Sequence, residues 1–326
     1  MRPYWLLLFS LASCSPYSFS KEVTTISTGV DQVSAGYTQG YTALAADRAA
    51  STQFDLNSTR SKAAFSPSCR LAVGELPESR LPCALYPAGS SAPAPSDVEQ
   101  KRGQIMSTLS VLKEYAHALA AVTNAADRAA YDAAVAQLSG AAGALAKNAD
   151  AAAPGVSVVA PAVVNLLGWL VGTGLDQQRF DSLKAAVNGV GNPTPSGVKP
   201  MHTVVAVLAL GLENLRKVRL TVLVGQARKM VVALGPSLSD SAYRQQFVDA
   251  QALITVIDGL RHSDPGGTVH GMESAHGALV AAVNDPARSY SDLVKAVGDF
   301  ADKAAALQTA FAATAAPAAA VAKKGS

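Results

Sequence analysis

Two stretches of the chain repeat the pattern Glu-x-x-His: Glu114-Tyr-Ala-His117 and Glu273-Ser-Ala-His276. They use two of the 7 glutamates and two of the 5 histidines. Residues three apart share a helix face. Di-metal carboxylate bundles carry one such pair on each of two helices, plus a carboxylate from each of two others. Glu213 and Asp258 are the candidates for those carboxylates. The helical wheel argues against the assignment. Successive residues turn by about 100°, so Ile105, Leu109, Leu112, Ala116 and Leu119 share a face. Glu114 lies nearly opposite that face, whereas a buried ligand should lie within it. His276 falls near the apolar face of Met272, Leu279 and Val283, with Glu273 at its edge. Two exposed polar pairs on Ala-rich helices are the plainer reading.

A second set is His262, Asp264, His270, Glu273 and His276, which holds three of the five histidines in 15 residues. Imidazole and carboxylate ligands suit zinc or a similar transition metal. The spacings match no zinc signature, so a metal-binding protein or metal-dependent enzyme stands as an alternative, with no metal site assigned. No Gly-x-Ser-x-Gly elbow, P-loop or dinucleotide fingerprint is present. No catalytic or cofactor-binding residue is therefore nominated. Arg216, Lys217, Arg219, Arg228 and Lys229 make one helix locally basic, with Glu213 four before Lys217. They read as a solvated face, or as a contact for anionic lipid heads or an acidic partner.

Composition describes the frame that must position these groups. Of 326 residues, 49% are hydrophobic, 16% charged and 6% aromatic, and the net charge is +3. Alanine supplies 63. The chain is too apolar for wholesale disorder, and its dispersed charge does not suit a dedicated nucleic-acid binder. Alanine is the best helix former.

Apolar residues at steps of three and four predict helices over 23–52, 98–124, 126–146, 158–187, 201–234, 241–261, 272–283 and 292–313. Residues 53–98 read as a Ser/Pro-rich loop, with Ser96 or Asp97 as the next N-cap. SDPGGTVHG at 263–271 reads as a flexible connector, and 315–326 as a low-complexity tail. The expected fold is all-α, an extended antiparallel helical bundle with long helices, spanning 23–314.

The N-terminus reads as an address. Arg2 precedes an apolar run from Trp5 to Leu11, then small residues Ala12 and Ser13. That order is a secretory signal over 1–13. The string Leu11-Ala12-Ser13-Cys14 resembles the lipobox of bacterial lipoproteins. The resemblance covers these residues alone. It implies acylation of Cys14, cleavage before it, a tether over 14–22 and attachment to a bacterial membrane facing the periplasm. Ser15 in place of Asp resembles outer-membrane sorting. More than one acyl chain gives stable anchoring. The expected role is non-catalytic: a scaffold, spacer or binding module for an envelope protein partner.

Cys69 and Cys83 then remain as an even pair in an oxidising compartment and read as a disulfide closing part of the 53–98 loop. Residues 155–175 carry no charge across 21 positions and contain Gly168-x-x-x-Gly172. Pro161, Asn165 and the absence of a basic flank favour a buried central helix. A membrane-active protein that inserts 155–175 is the other alternative.

Overall fold

Val23, Ile26, Val30, Val33, Tyr37 and Leu44 are all buried along one side of the first helix. Their steps of three, four and seven are the period that a helix needs to bury one stripe. A computed structural model describes residues 19–59, 62–65, 85–89, 96–152, 174–193, 199–235 and 238–314. Among the described residues are eight helices: α1 (Ser20–Thr59), α2 (Asp97–Asn124), α3 (Arg128–Ala152), α4 (Leu175–Gly191), α5 (Pro200–Ala233), α6 (Asp240–His262), α7 (Pro265–Asn284) and α8 (Pro286–Ala312). They share one apolar core. The fold is an all-α helical bundle, as the periodicity predicts.

Cross-contacts fix the directions. Arg48 pairs with Glu99, and Ser20 bonds Asn124, so α1 and α2 run antiparallel. Along α1 and α8 the order is the same: Glu22 meets Tyr290, Gly29 meets Phe300, and Gly40 meets Phe311. The two helices are therefore parallel. So are α1 and α5, where Asp47 meets Arg219 and Asp55 meets Lys229. Gln246 bonds the Met230 carbonyl, and Arg216 bonds that of Arg261, so α6 descends antiparallel along the far half of α5. His202 meets Glu273, and α7 continues down the near half. Together α6 and α7 line α5 in tandem.

Several boundaries differ from the sequence expectation. α1 starts at Ser20 and runs to Thr59, and past residue 52 Phe54 packs against the core and Asp55 pairs with Lys229. The loop expected over 53–98 is correspondingly shorter. It also contains a small antiparallel sheet, β1 (Ala63–Phe65) and β2 (Leu85–Pro87), paired in the register Ala63 to Pro87 and Phe65 to Leu85. The helix expected over 158–187 does not run through Gly174, which is extended and caps α4. The connector expected over 263–271 is mostly helix. Asp264 accepts from the Gly267 amide at 2.8 Å, and Pro265 occupies the first turn, where its missing N–H costs nothing. The same Pro-first start places the beginning of α8 at Pro286 rather than 292. The N-cap predicted before α2 is Ser96, whose amide donates to Glu99 at 2.7 Å in a capping box.

No helix among the described residues is long and apolar enough to cross a membrane. Cys14, the Cys69–Cys83 pair and residues 155–173 of the uncharged stretch lie outside the described residues, as do the signal 1–13 and the tail 315–326.

Candidate functional site

α7 carries the densest polar chemistry, and it faces two ways. His276 points inward, 4% exposed, and its Nε2 lies 2.9 Å from the Tyr115 hydroxyl of α2. One helical turn back, Glu273 points outward and lies between two histidines. It accepts from His202 Nδ1 of α5 at 2.7 Å and from His270 Nδ1 at 3.3 Å. The helix rotation explains the split. Met272, Ala275, Leu279, Ala282 and Val283 are buried with His276, and Glu273 and His270 sit on the flank of that stripe.

The inner pair is enclosed. A small apolar cavity beside it is lined by Val23, Ile26, Val30, Leu112, Met201 and Leu279. Gly191 of α4 closes another side: a Cβ there would lie 3.2 Å from His276 Nδ1. Burial pushes the His276 imidazole down to about 4, with Glu273 pulling weakly the other way. Burial also pushes the Tyr115 hydroxyl far above its ordinary value. Both groups are thus neutral at pH 7, as unpaired buried groups must be. They are a hydrogen-bonded link between α2 and α7 within the apolar core, and neither reaches a substrate at the surface.

The metal candidates of the sequence are dispersed. Glu114 is exposed and accepts from Ser110 of its own helix at 3.3 Å. His117 is tied to Asp31 of α1 at 2.8 Å. Glu213 is gripped by Arg216 through two bonds, at 2.6 and 2.9 Å. His262 bonds the carbonyl of Asp258 in its own last turn, and Asp264 is spent on capping α7. Among the described residues no group of three or more His, Cys, Asp or Glu side chains is placed to hold a metal ion.

The basic run on α5 is divided in a way that its composition does not suggest. Lys217, Arg228 and Lys229 are exposed, as expected for a solvated face. Arg219 is a correction: it is 0% exposed. Its Nε donates to Asp47 Oδ2 at 3.0 Å, and its two terminal nitrogens donate to the main-chain carbonyls of Phe311 and Ala313 at 2.8 and 2.9 Å. Burial raises the Asp47 carboxyl above its ordinary value, against the pull of Arg219. One guanidinium therefore joins α1, α5 and the end of α8. Sequence reasoning had the signal for this. Asp47 falls three after Leu44, and Arg219 four after Leu215, so each occupies a place in an apolar stripe.

Exposed apolar side chains are concentrated elsewhere. Among the described residues, six of the eight large ones lie between residues 231 and 254, on the last turn of α5 and on α6.

No family model matches the chain, and no curated protein or solved structure matches it either.

Proposed function

We propose that this chain is a bacterial lipoprotein, anchored through acylated Cys14 to the periplasmic face of a membrane, with the outer membrane favoured, and that it acts there as a scaffold, spacer or binding module for an envelope protein partner. The observation that carries this reading is the run Leu11-Ala12-Ser13-Cys14 directly behind the apolar segment from Trp5 to Leu11. The fold is compatible with it. Its first helix begins at Ser20, six residues beyond Cys14, so a short tether separates the acyl chains from the bundle. A rigid helical body is suited to holding surfaces apart. α1 alone has 40 residues, about 60 Å at 1.5 Å per residue.

The disulfide between Cys69 and Cys83 belongs to the same proposal. It is supported by the pairing of β1 with β2, which brings Phe65 and Leu85 side by side at the two ends of the segment that holds both cysteines.

The test is metabolic labelling with an alkyne palmitate in a bacterial host, with mass analysis of the mature N-terminus. The expected result is label on the parent chain, none on Cys14→Ser, and a mature protein that starts at an acylated Cys14. An unmodified N-terminus at another residue overturns the reading.

A further inference from the structure

We infer that α6 is a detachable arm, which lifts off the bundle as one unit about the link Ser263-Asp264 while the other helices stay packed. Its anchors are few. Five of its 23 residues are buried, Ala250, Leu253, Val256, Ile257 and Leu260, none of them before Ala250. α7 has 20 residues and buries nine. α7 packs on α8, α5, α4 and α1, whereas α6 packs on α5 and touches α8 only lightly. Polar ties are as sparse. Among the described residues no ion pair joins α6 to another helix, and Arg261 pairs with Asp258 of α6 itself. Two hydrogen bonds cross to α5. Gln246 Nε2 donates to the Met230 carbonyl at 3.1 Å, and Arg216 donates to the Arg261 carbonyl at 3.4 Å in an exposed position.

Both ends of the arm are finished from within. The Ser239 hydroxyl accepts from the Ala242 amide at 3.4 Å, and the Ser263 hydroxyl donates to the Leu260 carbonyl at 2.7 Å. α7 has its own cap in Asp264, which accepts from the Gly267 amide. The Ser263 amide bonds back to the Gly259 carbonyl, the Thr268 amide bonds back to Asp264, and Pro265 has no N–H to bridge the two helices. A rotation about Ser263 and Asp264 therefore breaks none of these bonds. Hinges sit at such element ends, where a few residues absorb the change in backbone angles.

Segments with few buried contacts open locally while the core holds. Opening bares Leu253, Val256, Ile257 and Leu260 on a helix whose outer side already shows Phe247 and Ile254. The open form thus presents apolar surface that the closed form hides, without unfolding of the bundle. The motion stops at the hinge because α7 is held on two sides. His276 bonds Tyr115 of α2 inside the core, and Glu273 bonds His202 of α5. This inference stands apart from acylation at Cys14, and its test uses the chain from Ser15, which keeps every described helix and has no acyl group.

The experiment is amide hydrogen exchange read by mass spectrometry on peptides, repeated at rising urea concentrations below the unfolding transition. Peptides from 250–262 report the arm, because its unburied first half can exchange by fraying alone. After correction for intrinsic rates, these peptides are expected to exchange about tenfold or more faster than those of α7. Their exchange should also depend less on urea, since opening one helix exposes less surface than unfolding the bundle. The variant Leu138→Ala separates the two routes. Leu138 is 0% exposed on α3, which packs on α2, α5 and α4. Its loss destabilises the closed and the open form alike, so it should speed exchange in α7 by about tenfold or more and leave 250–262 unchanged. Equal protection of 250–262 and α7, equal urea dependence, or an equal change of both in Leu138→Ala overturns the inference. The urea series needs the parent alone, so it decides the matter if Leu138→Ala does not fold.

Discussion

Arg219 of α5 and Asp47 of α1 form an ion pair at 3.0 Å with side-chain exposures of 0% and 4%, 172 residues apart in sequence. Removing one partner of such a pair strands the other in the core, at a cost of about 3–5 kcal/mol. Arg219→Met also releases the carbonyls of Phe311 and Ala313. The variant should unfold at markedly lower urea concentration than the parent. Adding Asp47→Leu should recover part of the loss, since an apolar pair leaves no stranded charge. A double variant no more stable than Arg219→Met alone would contradict this account.

His276 gives the molecule an acid-sensitive core. In the unfolded chain its imidazole takes up a proton near pH 6.5, and in the folded protein only near 4. Between those values the unfolded state holds more protons, so stability falls as pH falls. The contribution is fully present above pH 6.5 and has gone by about pH 4, with a ceiling of about 3 kcal/mol. Asp31 acts lower. Burial raises its carboxyl, but the bonds from His117 and Lys113 outweigh that and hold it below its ordinary 3.8. Its contribution is present above that value and is lost as pH falls through the lowered one. Urea midpoints measured from pH 7 to pH 4 should drop for the parent and flatten for His276→Gln. Parallel curves for the two proteins would remove His276 as the cause.

Close helix approach depends on Gly36. A Cβ at that position would lie 3.2 Å from Cα of Gln308, a backbone atom that cannot swing away. Gly36→Val should force α1 and α8 apart and cost about 1–3 kcal/mol. Gly140 of α3 is the control, because a Cβ there meets nothing within 4 Å. Gly140→Ala should stabilise by about 0.5–1 kcal/mol through the backbone entropy it removes from the unfolded chain. Thermal melts of the two variants should therefore move in opposite directions.

The cysteine pair can be counted directly. The unfolded, unreduced mature protein should take up no alkylating agent, and reduction should expose two thiols at Cys69 and Cys83. Reduction should also lower stability by about 3 kcal/mol on the chain-entropy account. Uptake at either cysteine before reduction would refute the disulfide.

Helix identity was legible in the sequence because the core is written at steps of three and four: Val30, Val33 and Tyr37 on α1, Leu208, Leu212 and Leu215 on α5. Helix starts were harder to read where glycine and proline do two jobs. Pro265 and Gly267 read as a connector, but Asp264 turns them into the first turn of α7. The expected antiparallel course holds for α1 with α2 and for α5 with α6, but not for α1 with α8 or α5, because parallel neighbours are set by long-range packing and leave no local period. The buried charges were missed for a different reason. Composition groups Arg219 with Arg216 and Lys217, whereas its place in the stripe of Leu215 and Leu223 is what decides its burial.

The parallel course of α1 and α5 has a mechanical consequence. Tension between the start of α1 and the α5–α6 corner pulls two parallel helices from opposite ends. Such a load runs along their shared seam and strains Asp47–Arg219 and Asp55–Lys229 together, where an antiparallel pair held at one end would peel contact by contact. Under such a load the two pairs would bear strain at the same time and not in turn.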